Sequence, residues 1–355
     1  MKVTTQNYGQ FLVNSPINFT GTYFADTVEG LEHDSVYRFL KDSKLSPALL
    51  REKVADVIVY SYNGRILFDD SVIDKYGSQV IEGAVRQYSG NAHHPVMGIG
   101  VVTCVYYNPH TGLFYPLDFR QYDLARDGKT KLDHVMDMMC EIIRKQVPFS
   151  HFLMDSWYTT AEILNQIMDW DKLFVCAVKS NRLFSPDEVD EHGKHIQKHV
   201  CDLDWDRVDQ QEFNPLTTTN PRHSGFRGRL KGLPLKRLVK LFRIVVSSDK
   251  TEYIITNDVT IMTTDDARKE SAVRWKIEEF HRELKQLTGI EGCQARKNRS
   301  QRNHIVLCML AWLQLKTTAW ATNRTIYQVK QDPLKAFVAE QWRHPATIFS
   351  ICKVG

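Results

Sequence analysis

The stretch Arg274-Trp-Lys-Ile-Glu278-Glu-Phe-His281-Arg-Glu-Leu-Lys285 decides how the rest of the chain is read. On a helix advancing about 100° per residue its side chains sort onto two faces. Arg274, Glu278, His281 and Lys285 fall on one narrow stripe. Val273, Ile277, Phe280, Leu284 and Leu287 form a second, the apolar face that a helix buries against a core. The polar stripe sets a carboxylate between cations. Taken alone, it also fits a solvated face with an i,i+4 Arg–Glu pair.

Acids upstream give the stripe its meaning. Arg65-Ile-Leu-Phe-Asp69-Asp70 and His151-Phe-Leu-Met-Asp155 are apolar runs ending in aspartate, each read as a buried strand. An α/β layer presents such strand ends at a common edge. Adding Glu278 from a helix on that sheet collects three carboxylates, which repel one another unless a cation neutralises them. Hard oxygen ligands suit Mg²⁺ or Mn²⁺. Two such ions can activate an attacking oxygen and stabilise a leaving one in phosphoryl transfer. Either aspartate alone reads as a strand-end cap; their joint occurrence with the Arg-Glu-Lys helix carries the weight.

Around these acids the pattern alternates. Residues 20–29 and 34–42 read as two short helices about Gly30, fitting either a helical hairpin or a helix-turn-helix with Ser35, Arg38 and Lys41 turned to DNA. Val96–Tyr107 and Leu113–Phe119 are β-branched and aromatic runs that form a meander with the first acid-tipped strand. A helix at Lys131–Arg144, a helix at Thr160–Met168 and a strand at Leu173–Val178 complete an α/β layer with a mixed sheet. Residues 181–250 break that rhythm with prolines and a basic run before strands at Leu241–Val246 and Glu252–Thr256, and read as an insertion. An apolar helix follows at Ile305–Leu315, and the last forty residues carry no pattern.

At 355 residues, with 43% hydrophobic and 25% charged side chains, the chain has an ordinary globular composition. Its net charge of +4 is modest, so a polyanionic partner has to be argued from local clusters. Such a cluster exists: Arg222 to Lys240 holds seven Lys or Arg and no Asp or Glu. Arg227, Arg229, Lys231 and Arg237 in it are the cations expected to track DNA phosphates. The seven scattered cysteines read as reduced packing residues of a cytoplasmic protein. Neither a signal pattern nor an apolar run of spanning length is present, so export and membrane insertion are not expected. His192, His195, His199 and Cys201 are zinc-ligand types at a spacing that matches no common finger. Trp205 fits a core position better than a base-stacking one.

With these residues in place, the chain resembles the DDE transposases of the insertion-sequence 4 superfamily, most of all the insertion-sequence 701 branch. The family's signature is Tyr, Arg, Glu and Lys at fixed helical spacing; Arg274, Glu278 and Lys285 match it, and Ser271 stands at the tyrosine position. Its first aspartate precedes Ser or Thr, as in Asp70-Ser71, which favours Asp70 over Asp69. Its second leads from a hydrophobic strand toward a helix, as in Met154-Asp155-Ser-Trp-Tyr158. Similarity continues through Arg86-Gln-Tyr-Ser-Gly90, Tyr253-Ile-Ile-Thr-Asn257 and the basic stretch holding Arg296, Lys297 and Arg299.

The resemblance implies an RNase H-like α/β core with a mixed sheet, interrupted by a β-rich insertion and preceded by a small helical region. The expected division is a helix-turn-helix-like part at 1–52, core at 53–180, basic insertion at 181–250, core with the catalytic helix at 251–320, and an extension at 321–355 suited to oligomerisation. It implies two Mg²⁺ (or Mn²⁺) ions on Asp70, Asp155 and Glu278, phosphate held by Arg274 and Lys285, and further DNA contacts from Arg296, Lys297, Arg299 and Arg38. The partners implied are double-stranded DNA, as transposon ends and target, and a second copy of the chain. The enzyme is then a bacterial insertion-sequence transposase. A regulator derived from a transposase, binding DNA without cutting, is the alternative, and the intact acidic triad argues against it.

Overall fold

Side-chain caps set the first helix: Thr4 accepts from the Asn7 backbone N–H while the Asn7 side chain accepts from the Thr4 N–H, opening α1 (Thr5–Asn14). The structure is a computed structural model that describes residues 2–76, 80–90, 92–187, 196–212 and 225–346, with 209–212 as backbone only. After α1 come α2 (Gly21–Asp26), α3 (His33–Asp42), α4 (Pro47–Ala55), β1 (Arg65–Asp74), β2 (Val85–Ser89), β3 (His94–Tyr107), β4 (Phe114–Tyr122), α5 (Leu124–Asp127) and α6 (Lys131–Arg144). Then follow β5 (His151–Met154), α7 (Ala161–Asp169), β6 (Leu173–Val178), β7 (Leu183–Pro186), β8 (Lys198–His199), α8 (Trp205–Glu212), β9 (Phe226–Leu230), β10 (Val239–Ser247) and β11 (Lys250–Thr256). The chain continues with α9 (Thr264–Ala272), α10 (Trp275–Thr288), α11 (Asn298–Ala321) and α12 (Ile326–Arg343).

Packing divides the chain into two units: Met1–Val57, Val72–Ile99 and Phe280–Gly355 form one, and Ile58–Ser71 with Gly100–Glu279 the other. In the second unit the strand order is β3-β1-β5-β6-β11-β10-β9-β7-β8, with β4 on β3. β1, β5 and β6 run parallel. Every residue of β5 is buried, and β6 has only its first and fifth residues partly exposed, as strands covered on both faces require. From β6 outward the pairings are antiparallel. The described strands of the segment 181–250, expected as an insertion, therefore lie in the same sheet, joined to β6 through β11. Trp205 is core, donating from Nε1 to the Val200 carbonyl and packing against Phe226 and Tyr253. Of the zinc-like residues, His192 and His195 lie outside the described residues, while His199 and Cys201 are exposed.

The other unit is helical around α11, on which α1, α3, α4 and α12 pack. Burial on nearly all sides obliges the polar residues of α11 to find internal partners. Asn303 donates to the Leu40 and Ser43 carbonyls at the end of α3, and His304 sits between the Tyr8 hydroxyl and the Gly289 carbonyl. Gly289 has a positive φ of 65°, and Phe19 occupies the space a Cβ would need. The helices before residue 58 share a unit with the chain after residue 279. What joins them is α11, on which helices from both ends of the chain pack. Arg38 and Lys41 point outward from α3, whose Val36 and Leu40 are buried. Among the described residues no single helix is long and apolar enough to cross a membrane.

Candidate active site

Strand register brings the first two acids together. β1 and β5 pair in parallel through Ile66↔Phe152, Leu67↔Leu153 and Phe68↔Met154. Asp69 and Asp155 follow directly on the last paired residues, and continuing that register would set them level on the same side of the sheet. Asp70, the next residue, points to the other.

The contacts follow that alternation. Asp70 accepts an ion-paired hydrogen bond from Lys131 Nζ at 2.6 Å and one from the Tyr158 hydroxyl. Lys131 comes from the first turn of α6 and also lies 5.4 Å from the Tyr122 ring centre. Burial first, and then the charges of Asp70, Asp69 and Asp155, push the Tyr158 phenol well above its ordinary range, so it stays protonated and donates. Tyr158 is held in place because its N–H and the Thr159 hydroxyl both bond the Asp155 carbonyl, making the turn after β5.

Asp69 has no such neutralisation. Its Oδ1 accepts only the Asp70 backbone N–H, at 2.9 Å, and it has no ion pair among the described residues. Burial, then the Asp70 charge, push its carboxyl up to about 7; Glu278 adds to this, while that N–H and Arg274 oppose it. Arg274 pairs with Glu278 at 2.7 Å and lies 5.6 Å from the Trp275 ring centre. Burial works against the guanidinium charge, but Glu278, Asp155 and Asp69 together hold its pKa above the ordinary value. Asp69, Asp155, Arg274 and Glu278 are therefore electrostatic neighbours in one unit. The acid placed with Glu278 and Arg274 is Asp69, whereas Asp70, preferred from the sequence, is tied to Lys131 and Tyr158. Sequence inspection could not separate the two, because adjacent acids differ only in the face that register assigns them.

Beside Arg274 a cavity of about 470 Å³ opens between the sheet and the α9–α10 junction, lined among others by Ser271, Arg268, Trp275, Met154 and Ile254. Ser271, at the expected tyrosine position, leaves space there. The remaining candidates are spread out. Lys285 donates to the Val72 carbonyl at 2.6 Å and pairs with Glu291 at 3.1 Å. Lys297 pairs with Glu82, and Arg296 and Arg299 are exposed. On β9, Arg227 is exposed and Arg229 half-buried, and Lys231 just beyond is exposed. Arg237 instead ties down α7, through the Asn165 carbonyl and Asp169. Lys131 was missed in the sequence because a helix-start lysine carries no local mark of its partner. Tyr158 stood in the quoted Asp155 turn without an assigned role.

A family model described as the transposase DDE domain matches residues 63–314, most of the chain and all the acids above. The chain belongs to that family. A structural comparison also matches the Drosophila P element transposase strand transfer complex at 8% identity and a TM-score of 0.31, covering 98% of this chain and 88% of that one. No curated protein matches the sequence.

Transposase DDE domains generally use divalent metals, which makes the donor set a question of fit. Among the described residues no three His, Cys, Asp or Glu side chains are gathered closely enough to hold an ion. In kind, though, the donors suit a hard cation: all are carboxylates, and Asp69 is a half-buried acid with no cation bonded to it among the described residues. In this arrangement Arg274 and Lys131 hold Glu278 and Asp70 respectively.

Proposed function

We propose that this chain is the transposase of a bacterial insertion sequence, of the insertion-sequence 4 superfamily and its 701-like branch, built on an RNase H-like core. It binds the terminal inverted repeats of its element, nicks them with water, and joins the freed 3′ hydroxyl to target DNA. Asp69, Asp155 and Glu278 are the residues that would hold Mg²⁺ or Mn²⁺, which supplies activation of the attacking oxygen and stabilisation of the leaving one. Asp70 anchors Lys131 and Tyr158, bracing the β1 and β5 ends so that Asp69 and Asp155 stay level. Arg274 orients Glu278 and carries a positive charge beside the acids, suited to a scissile phosphate. Arg227, Arg229 and Lys231 offer a basic face for duplex, with Arg296, Arg299 and Arg38 as further exposed cations. Two copies act together, because two ends have to be joined.

The observation that carries this reading is the shared field of Asp69, Asp155, Arg274 and Glu278, groups from two strands and a helix that have no packing reason to converge. The test is Asp155→Asn on oligonucleotides carrying the element's own ends. The variant should lose Mg²⁺-dependent nicking and keep end binding close to wild type. Full cleavage by that variant sinks the assignment.

A further inference from the structure

Arg65 opens β1 as a charged side chain ahead of three buried residues, and its neighbour across the parallel register is His151, the first residue of β5. This is the end of the two strands away from the acids. Arg65 ion-pairs with Glu270 of α9, and its Nη1 donates to the Ser150 hydroxyl at 2.6 Å and to the Asn63 carbonyl. Side-chain exposures of 13% for Arg65 and 21% for Glu270 set the pair apart from the freely solvated ion pairs of a surface. His151 Nε2 lies 2.9 Å from one oxygen of Asp258, whose other oxygen accepts from the Thr260 N–H and hydroxyl at 2.8 and 2.7 Å. Those bonds fix the turn that leads from β11 toward α9, and a capping box of Thr263 and Asp266 closes the start of that helix.

Two periodicities connect this end with the acids. Arg65 and Asp69 are four residues apart on one strand, so they share a face of the sheet and stand about 13 Å from each other. Glu270, Arg274 and Glu278 recur every four residues, so they form one helical stripe in which Glu278 stands about 12 Å beyond Glu270. Bonds from the Val273, Arg274, Lys276 and Ile277 N–H groups to carbonyls three residues back carry the chain from α9 into α10 without a gap. Strand and stripe therefore match in length. With Glu270 anchored on Arg65, the run delivers Arg274 and Glu278 to the level of Asp69.

We propose that Arg65 and Glu270 are positioning residues, whose pairing sets the height of the Glu270–Arg274–Glu278 stripe along β1 and with it the spacing of Glu278 and Arg274 from Asp69 and Asp155. His151 and Asp258 secure the same end from the side of β5. Without the pair α9 still packs on β6 and β10, so the helix stays attached but is free to shift along the sheet. A misplacement of about 1 Å can cost a reaction about 100-fold. The effect on catalysis rests on the reading of the acids as a metal site; the effect on the helical stripe does not.

Full-length Arg65→Ala and Glu270→Ala are compared with wild type and Asp155→Asn on the element's ends in Mg²⁺. Each alanine variant should lower the single-turnover nicking rate constant by about 10- to 100-fold, with full reaction amplitude and unchanged affinity for the ends. The double variant should be no slower than the slower single one, because either loss releases the same contact. Residues that served stability alone would instead reduce the amplitude, which counts folded molecules, and leave the rate constant as it was. Glu270→Gln keeps an acceptor for Arg65 and should recover most of the rate. Hydrogen exchange over residues 271–278, read without DNA or metal, should quicken several-fold in Glu270→Ala while β5 and β6 exchange as in wild type. Should the alanine variants fail to fold, Arg65→Lys, which keeps the charge but cannot span Glu270 and Ser150 together, takes their place with the same directions of change. Wild-type rate constants in the positioning variants, with Asp155→Asn inactive, overturn the proposal and leave the metal site standing. Nicking by Asp155→Asn removes the metal site instead, and exchange over 271–278 then decides alone: an unchanged rate there overturns the positioning role.

Discussion

Glu283, on α10, is only 3% exposed, yet both of its oxygens are met: Lys316 Nζ lies 2.7 and 2.9 Å from them, and Trp312 Nε1 donates at 2.9 Å. Asp69, on β1, is half-buried, and its carboxylate accepts one backbone N–H and faces two other acids. The same chain has met a shielded carboxylate's needs completely in one place and left them largely open in the other. A pair like Glu283–Lys316 holds helices in register. An acid left like Asp69, with its carboxyl pushed up to about 7, costs the fold energy once it ionises. Carboxylates held in this way cluster at functional sites.

The largest effect separates Asp69 from its neighbour. Asp69→Asn should lower metal-dependent cleavage by roughly 10³-fold or more, since several kcal/mol of charge stabilisation act through it. Asp70→Asn disturbs only the brace to Lys131 and Tyr158 and should cost about tenfold. Single-turnover nicking rates decide, and the reverse order would hand the metal to Asp70.

Stability should move the opposite way. Glu283→Ala leaves Lys316 buried without its counter-charge and should destabilise by about 3–5 kcal/mol. Asp69→Asn removes an uncompensated charge and should stabilise by about 2–4 kcal/mol above pH 7. Denaturant unfolding of the two variants against wild type measures both. If Asp69→Asn destabilises, the acid has partners in solution and the contrast with Glu283 fails.

Acidity sharpens the same comparison through His304. Burial, with a lesser push from Lys75, lowers its pKa to about 3, against 6.5 for a free histidine. The unfolded chain then binds one more proton than the folded one between those values, so the stability present above 6.5 is lost as pH falls toward 3. Asp69 runs the other way. With its carboxyl raised from 3.8 to about 7, the folded chain binds the extra proton, and stability falls as pH rises through that window. From about pH 4 to 6.5 the two nearly cancel. In Asp69→Asn the cancellation is removed, and the unfolding free energy should climb with pH by about 1.4 kcal/mol per unit more than in wild type. Unfolding at pH 4.5 and 6.5 suffices to check it.

Local signals were enough for the elements whose side chains report their own surroundings. The helix at Lys131–Arg144 and the strand at Leu173–Val178 have the ends read from periodicity. Other features depend on distant chain. Asp69 and Asp70 are separated only by the register of β1 on β5, and Lys131 reaches Asp70 from sixty-one residues away. The small helix α4 and the opening helix α1 escaped notice because each buries only a few residues, against a helix near the other end of the chain. The helix α12 escaped because its apolar stripe, half of it facing water, is interrupted by Pro333 and flanked by mixed charges. Fold class was legible; which face each acid occupies was not.

The smallest expected effect tests paired against unpaired charge at the surface. The basic run was expected to act as one DNA-tracking surface, but its members differ in what they touch. Arg237 is spent on Asn165 and Asp169 of α7, while Arg227 and Lys231 are exposed and Arg229 is half-buried on β9. In the strand's alternation Phe226, Gly228 and Leu230 turn inward, which sets Arg227, Arg229 and Lys231 on the outward side together. Each cation that neutralises a phosphate contributes about −0.9 to the slope of log affinity against log salt. Replacing these three with Gln should therefore flatten that slope by up to about 2.7 units, equally for the element's ends and for unrelated duplex. Arg237→Gln should leave the slope alone and instead loosen α7, seen as a loss of about 0.5–1 kcal/mol in unfolding. A slope that responds to Arg237 and not to the other three would mean that DNA displaces the α7 contact and that the outward face of β9 is bystander surface.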